Sequence, residues 1–200
     1  MLLFIGILLP QLGASAESVV LVLGDSLSAG YGLAPNQGWV WLLQDRLTEQ
    51  GYPQRTLNAS ISGDTTGGGL TRLPALLARH QPEILIIELG ANDGLRGHGF
   101  EQIHANLAEL IKLGRQAGAK VLLVGIRLPP NYGAAYIERF QALYQDLARE
   151  SGVALTPHLL AGVAEHRQLM QPDGLHPTAE AQPRLLDNVW PELRQLLRHD

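Results

Sequence analysis

The 200-residue sequence contains no cysteine and little charge. The absence of cysteine excludes disulfides, thiolate nucleophiles and cysteine-ligated zinc or iron–sulfur centres. Charged residues make up 17% of the chain and the net charge is −4. We expect no nucleic-acid partner, because phosphate binding requires a clustered basic surface. The length suits a single domain.

The chain begins with a short apolar run. Residues 2–9 are apolar apart from Gly6, and the run is too short to span about 30 Å of hydrocarbon as a helix. Ala14-Ser15-Ala16 fits the small-x-small rule for signal-peptide cleavage, although no Lys or Arg precedes the run. We predict a signal peptide over 1–16, one domain over 17–200, and a periplasmic or secreted protein without a stable membrane anchor. The alternative is an N-terminal strand or helix that packs on the domain.

Strand-like and helix-like segments alternate along the rest of the chain. Apolar runs predict strands over 18–23, 55–59, 83–89, 120–126 and 153–156. Apolar residues at helical spacing predict helices over 39–50, 70–80, 100–116, 134–149 and 178–197. This order is typical of a parallel sheet covered by helices on both faces. Ligands of such sheets bind beyond the carboxyl ends of the strands, so the loops there are the candidate functional segments.

A serine follows the first predicted strand. The segment Gly24-Asp25-Ser26-Leu27-Ser28 would place the Ser26 hydroxyl at the carboxyl edge of the sheet. The segment does not match the G-x-S-x-G nucleophile elbow, because position 28 is Ser. Taken alone, Ser26 is better explained as a turn or helix-cap residue than as a nucleophile.

An aspartate and a histidine lie three residues apart near the C-terminus. In a tight turn, Asp173 can reach Nδ1 of His176, fix its tautomer and leave Nε2 free as a general base. Pro172 and Gly174 support a turn here. The alternative is an aspartate that caps a turn beside an unrelated surface histidine.

Two further loops could supply hydrogen-bond donors. Asn92 follows the third predicted strand and Gly63 follows the second. The Asn92 amide and the N–H groups of Gly63 and Ser26 could converge on an oxyanion. Singly, Asn92 and Gly63 each fit an ordinary turn; their placement at successive strand ends favours the functional interpretation.

In this order, the four blocks resemble the SGNH or GDSL hydrolase family, with Ser26, Gly63, Asn92 and His176 at the family's named positions and Asp173 as the acid. Residues 58–66, 73–82, 88–97, 126–133 and 170–177 are further similar to a branch of bacterial periplasmic arylesterases that are also described as acyl-CoA thioesterases, proteases and lysophospholipases. Ala91 departs from that branch, which often has glycine there.

The resemblance implies an α/β fold: a flavodoxin-like three-layer α/β/α sandwich with five parallel strands, and neither metal nor cofactor. It also implies a Ser-His-Asp triad of Ser26, His176 and Asp173, and an oxyanion hole of Ser26, Gly63 and Asn92. The expected substrate-binding residues are Asp25, Leu27, Asp64, Gly94, Leu95, Leu128, Pro129 and Leu175.

The expected activity is hydrolysis of esters and thioesters with apolar acyl groups by a monomeric serine esterase. One alternative is a non-catalytic flavodoxin-like module that binds a phosphate or a flavin at the loop 24–30. Another is a metallophosphoesterase that uses Asp25, Asp64, Asp93 and His176 as ligands.

Overall fold

A computed structural model describes residues 18–197, so the predicted signal peptide lies outside the described residues. The strands are β1 (Val19–Gly24), β2 (Arg55–Asn58), β3 (Ile84–Glu88), β4 (Lys120–Val124) and β5 (Ala154–Thr156). The helices are α1 (Ser26–Ala29), α2 (Trp39–Glu49), α3 (Thr66–His80), α4 (Ala91–Leu95), α5 (Phe100–Gln116), α6 (Ala134–Ser151) and α7 (Gln182–Leu197).

The five strands form one parallel sheet in the order β2-β1-β3-β4-β5. In the register of the sheet, Val20 of β1 lies opposite Thr56 of β2 on one side and Ile84 of β3 on the other. Parallel neighbours require crossover connections, and the helices supply them. The predicted α/β sandwich with a five-stranded parallel sheet is confirmed.

Alternate residues of the central strands enter two separate apolar cores, because successive side chains of a strand point to opposite faces. On β1, Leu21 and Leu23 join the core under α3, α5 and α6, whereas Val20 and Val22 join the core under α2 and α7. All six residues of β1 are buried, as is typical of a strand covered on both faces.

The structure differs from the sequence prediction at several element boundaries. Helix α3 begins at Thr66 rather than at residue 70, and two short helices, α1 and α4, were not predicted. A short 3₁₀ turn at Ala179–Ala181 precedes α7, which begins at Gln182. Helices α1 and α4 each follow a strand directly, so both lie at the carboxyl edge where a site was expected. No helix in the part of the chain described here is long and apolar enough to cross a membrane.

Candidate active site

Ser26 and His176, which lie 150 residues apart in the sequence, meet at the carboxyl edge of the sheet. Ser26 is the first residue of α1, directly after β1 and the cap residue Asp25. His176 lies on the loop that leads into α7. Its Nε2 is 2.8 Å from the Ser26 hydroxyl oxygen, within hydrogen-bond distance. Nε2 is therefore positioned to accept the Ser26 proton.

Asp173 binds the other nitrogen of the imidazole. Its Oδ2 is 2.7 Å from Nδ1 of His176, while its Oδ1 accepts hydrogen bonds from the backbone N–H groups of Leu175 (2.9 Å) and His176 (3.0 Å). Burial alone would raise the pKa of Asp173, but these three hydrogen bonds and the His176 charge lower it to about 2. Asp173 is therefore ionised at neutral pH and orients the imidazole.

Two residues that sequence reasoning missed hold the histidine loop in place. The Tyr31 ring lies against the His176 ring, with centroids 4.5 Å apart. The Gln171 side-chain amide donates hydrogen bonds to the backbone oxygens of Tyr31 (2.8 Å) and Pro177 (3.0 Å). Gln171 thus ties the turn after α1 to the loop that carries Asp173 and His176. Both hydrogen bonds from Gln171 end on backbone oxygens, which every residue type has, so the sequence alone does not reveal them.

Gly63 and Asn92 line the same cavity as Ser26 and His176. Gly63 has a φ of 80°, a left-handed conformation that glycine adopts without strain. Asn92 is the second residue of α4, which begins three residues after β3 ends at Glu88. Four residues of the predicted triad and oxyanion hole therefore line one crevice, and the fifth, Asp173, binds the His176 ring.

A pair of buried acids, Asp25 and Glu88, lies beneath α1. Oδ1 of Asp25 accepts the N–H of Leu27, and Oδ2 accepts a hydrogen bond from Nδ2 of Asn92, each at 3.0 Å. Burial raises the pKa of Asp25 to about 6. Glu88 accepts the Ser28 hydroxyl at 2.6 Å, and burial, with the Asp25 charge, raises the pKa of Glu88 well above its usual value.

The crevice opens into a largely apolar cavity of about 630 Å³. Of the expected substrate-binding residues, six line it: Asp25, Leu27, Leu95, Leu128, Pro129 and Leu175. Sequence reasoning missed several other apolar lining residues, among them Ile126, Pro130, Leu160, Ala164 and Met170. They come from the loops that follow β4 and β5, and their residue types alone do not mark them as cavity-lining residues.

Three of the expected substrate-binding residues have close partners within the protein. Both carboxylate oxygens of Asp25 are occupied by partners within the protein. Asp64 does not line the cavity; its Oδ2 forms an ion pair with Arg72. Gly94 packs against Leu128 and Phe140, where an added Cβ would lie 2.9 Å from each side chain.

The four side chains that the metallophosphoesterase alternative would use as metal ligands each bind a different partner within the protein. Asp93 accepts two hydrogen bonds from Thr66, Asp64 binds Arg72, and Asp25 binds Asn92. Across residues 18–197, no group of three or more His, Asp or Glu side chains is placed to hold a metal ion. The donor set that this alternative needs is not assembled.

The site contains a hydroxyl, an imidazole and a carboxylate in a hydrogen-bonded row, beside an amide and a glycine. This is the arrangement of a serine hydrolase. Residues 22–183 match the model of the GDSL-like Lipase/Acylhydrolase family, and the chain belongs to that family. It is accordingly a carboxylic ester hydrolase, and the predicted esterase class is confirmed.

Individual relatives agree with this assignment. An arylesterase of Vibrio mimicus is 48% identical over 180 residues, which cover 90% of each chain. A protein of Escherichia coli K12 named thioesterase 1/protease 1/lysophospholipase L1 is 44% identical over 197 residues, 98% of this chain and 93% of that protein. A crystal structure of a protein called TesA is similar with a TM-score of 0.88 and 55% identity, covering 90% of this chain and 99% of that one.

Proposed function

We propose that the chain hydrolyses esters and thioesters through Ser26 as nucleophile, His176 as general base and acid, and Asp173 as the group that orients the imidazole. The observation that carries the proposal is the continuous row from Asp173 Oδ2 to His176 Nδ1 (2.7 Å) and from His176 Nε2 to Ser26 Oγ (2.8 Å). This row can move a proton away from the hydroxyl as the hydroxyl attacks a carbonyl carbon.

The reaction proceeds in two acyl-transfer steps. Ser26 Oγ bonds to the acyl carbon while its proton moves to His176 Nε2, and the negative carbonyl oxygen is held by the N–H groups of Ser26 and Gly63 and by the Asn92 amide. His176 then protonates the departing alcohol or thiol, and an acyl group stays on Ser26. Water, deprotonated by His176, attacks the acyl carbon of this acyl-enzyme; as the C–Oγ bond breaks, His176 returns the proton to Ser26 Oγ and the acid is released.

The substrates in this proposal are small molecules with an apolar acyl group: aryl esters, short- to long-chain acyl esters, acyl-CoA thioesters and lysophospholipids. The apolar lining of the cavity supports this class, because burying apolar surface stabilises the bound acyl chain. The relatives named arylesterase and thioesterase 1/protease 1/lysophospholipase L1 support the same range. The proposed enzyme is a monomer that needs neither cofactor nor metal.

We place the enzyme in the periplasm or outside the cell, after removal of residues 1–16. The support is the apolar run and the Ala14-Ser15-Ala16 cleavage pattern. The test is a fusion of residues 1–20 to a reporter that folds only after export. We expect exported, active reporter; retention inside the cell would contradict this placement.

A fluorophosphonate probe tests the nucleophile directly, because it modifies activated serine hydroxyls. We expect the probe to label the wild-type protein and not Ser26→Ala, which should keep its fold but lose nearly all hydrolysis of a 4-nitrophenyl ester. The matched control is Ser28→Ala, which removes a buried hydroxyl from the same short helix and should still be labelled. Wild-type labelling or turnover in Ser26→Ala would refute the mechanism.

A further inference from the structure

The oxyanion role of Asn92 depends on which end of its side-chain amide faces the substrate. The amide has a donor end, NH₂, and an acceptor end, C=O, of nearly the same shape. Only the NH₂ end stabilises a negative oxygen; an amide turned over by half a rotation would present its own oxygen and repel the charge. A group within the protein must therefore select one orientation.

Asp25 is placed to make that selection. Its Oδ2 accepts a hydrogen bond from Nδ2 of Asn92 at 3.0 Å, and its Oδ1 accepts the backbone N–H of Leu27 at 3.0 Å. The Leu27 bond fixes the plane of the carboxylate. With 1% of its surface exposed, Asp25 has no water to replace either partner.

We propose that Asp25 is a positioning residue that locks the Asn92 amide with its nitrogen toward the reacting carbonyl, leaving the second N–H of that nitrogen for the oxyanion. This inference rests on the proposed function. An ionised carboxylate only accepts hydrogen bonds, so a reversed amide would set oxygen against oxygen at 3.0 Å and is rejected. Both carboxylate oxygens of Asp25 have partners within the protein, so in this proposal Asp25 acts through Asn92.

The ionisation of Asp25 agrees with this role. Burial raises the pKa of Asp25 to about 6. The hydrogen bonds from Leu27 and Asn92 and the charge of His176 act in the opposite direction but are smaller effects. The carboxyl is therefore mostly in its acceptor-only form at neutral pH.

Two substitutions distinguish the orientation of the Asn92 amide by Asp25 from the role of Asp25 as the N-cap of α1. Asp25→Ser keeps an oxygen that can cap the Leu27 N–H, but its shorter side chain ends before Asn92. Asp25→Asn keeps the size of the side chain but offers one oxygen to two donors. Its NH₂ would then face either Leu27 or Asn92, and facing Asn92 it would favour the reversed, unproductive amide.

The test is a double-mutant cycle with Asn92→Ala, measured with a 4-nitrophenyl ester on proteins whose folding is checked by circular dichroism. Loss of one oxyanion donor costs about 10²–10³ in kcat, which is the expected effect of Asn92→Ala. We expect Asp25→Ser and Asp25→Asn to lower kcat roughly tenfold to a hundredfold, within that limit, with KM little changed. In the Asn92→Ala background the same substitutions should change kcat by less than about threefold.

A structural effect of Asp25 would persist without Asn92, so equal losses of kcat in both backgrounds would overturn the inference. Unchanged kcat in both Asp25 variants beside an impaired Asn92→Ala would overturn it as well. The control is Ser28→Ala, which removes the α1 hydroxyl that bonds Glu88 but leaves the bonds of the Asp25 carboxylate to Leu27 and Asn92 in place; a loss of kcat equal to that of Asp25→Ser would attribute the effect to α1 and refute the inference. Wild-type kcat in Asn92→Ala would instead refute the proposed role of Asn92 itself.

Discussion

Asp173 accepts three hydrogen bonds within four residues of chain, from the His176 ring and from the N–H groups of Leu175 and His176. Each favours the ionised carboxylate over the neutral acid. A distant acid is therefore unnecessary, because one turn supplies both members of the pair. The same turn presents Leu175 to the cavity.

The titration of Asp173 follows from these bonds. The pKa of Asp173 in the fold is about 2, below its ordinary value of 3.8. The ionised carboxylate therefore stabilises the fold fully above pH 3.8, and this stabilisation is lost as the pH falls through about 2. We expect carbon NMR of the carboxyl groups to give Asp173 a midpoint near 2, with Asp173→Asn used to assign its signal. A midpoint at or above 3.8 would contradict the hydrogen-bonded turn.

Position after a strand favoured a common site for Ser26 and Asn92, the three-residue spacing indicated the Asp173–His176 pair, and the resemblance to the family joined them into one triad and oxyanion hole. The roles of the other acids could not be predicted in this way. Asp25 and Asp64 lie beside functional residues in the sequence, yet the carboxylate of Asp25 faces Asn92 and that of Asp64 faces Arg72. A motif identifies which residues belong to a site, but the partner of a carboxylate depends on side chains that other segments bring near.

The start of helix α3 also depends on contacts that the sequence alone does not show. Three successive glycines, 67–69, disfavour a helix, and the sequence predicts a start at residue 70. The helix begins at Thr66 because the Thr65 hydroxyl accepts the Gly68 N–H at 3.2 Å and Asp93 accepts both the N–H and the hydroxyl of Thr66. A Cβ at position 69 would lie 2.4 Å from Leu89, so the glycine permits close packing of the helix on the sheet.

The Asp93–Thr66 contact also couples two elements of the site. Asp93 is the third residue of α4 and neighbours Asn92, whereas Thr66 begins α3 just after the loop that carries Gly63. Asp93 is buried, and its bonds to Thr66 are 2.8 and 2.9 Å. Arg96 adds a second link by donating to the Gly63 oxygen at 3.0 Å. The two oxyanion donors supplied by different loops are thereby held at a fixed separation.

For the molecule as a whole, the cavity lies where the two apolar cores open at the carboxyl edge of the sheet. Leu128 belongs to the core under α3, α5 and α6, while Ile126 and Leu160 belong to the core under α2 and α7, and all three line the cavity. The apolar walls of the site are therefore continuous with the interior of the fold, while Arg127, Glu165 and the catalytic residues add polar groups to the lining.

We expect substrates with longer acyl chains to be hydrolysed with a higher kcat/KM, because their chains bury more apolar surface in this cavity. Each buried CH₂ contributes about 0.8 kcal/mol, which corresponds to roughly a fourfold gain when the methylene is fully buried. Across 4-nitrophenyl esters from acetate upward, we expect kcat/KM to rise about two- to fourfold per methylene until the cavity of about 630 Å³ is filled, and then to level off. Hydroxide-catalysed hydrolysis of the same esters is the control for their intrinsic reactivity. A value of kcat/KM that falls from acetate onward, relative to that control, would show that the acyl chain does not enter the cavity.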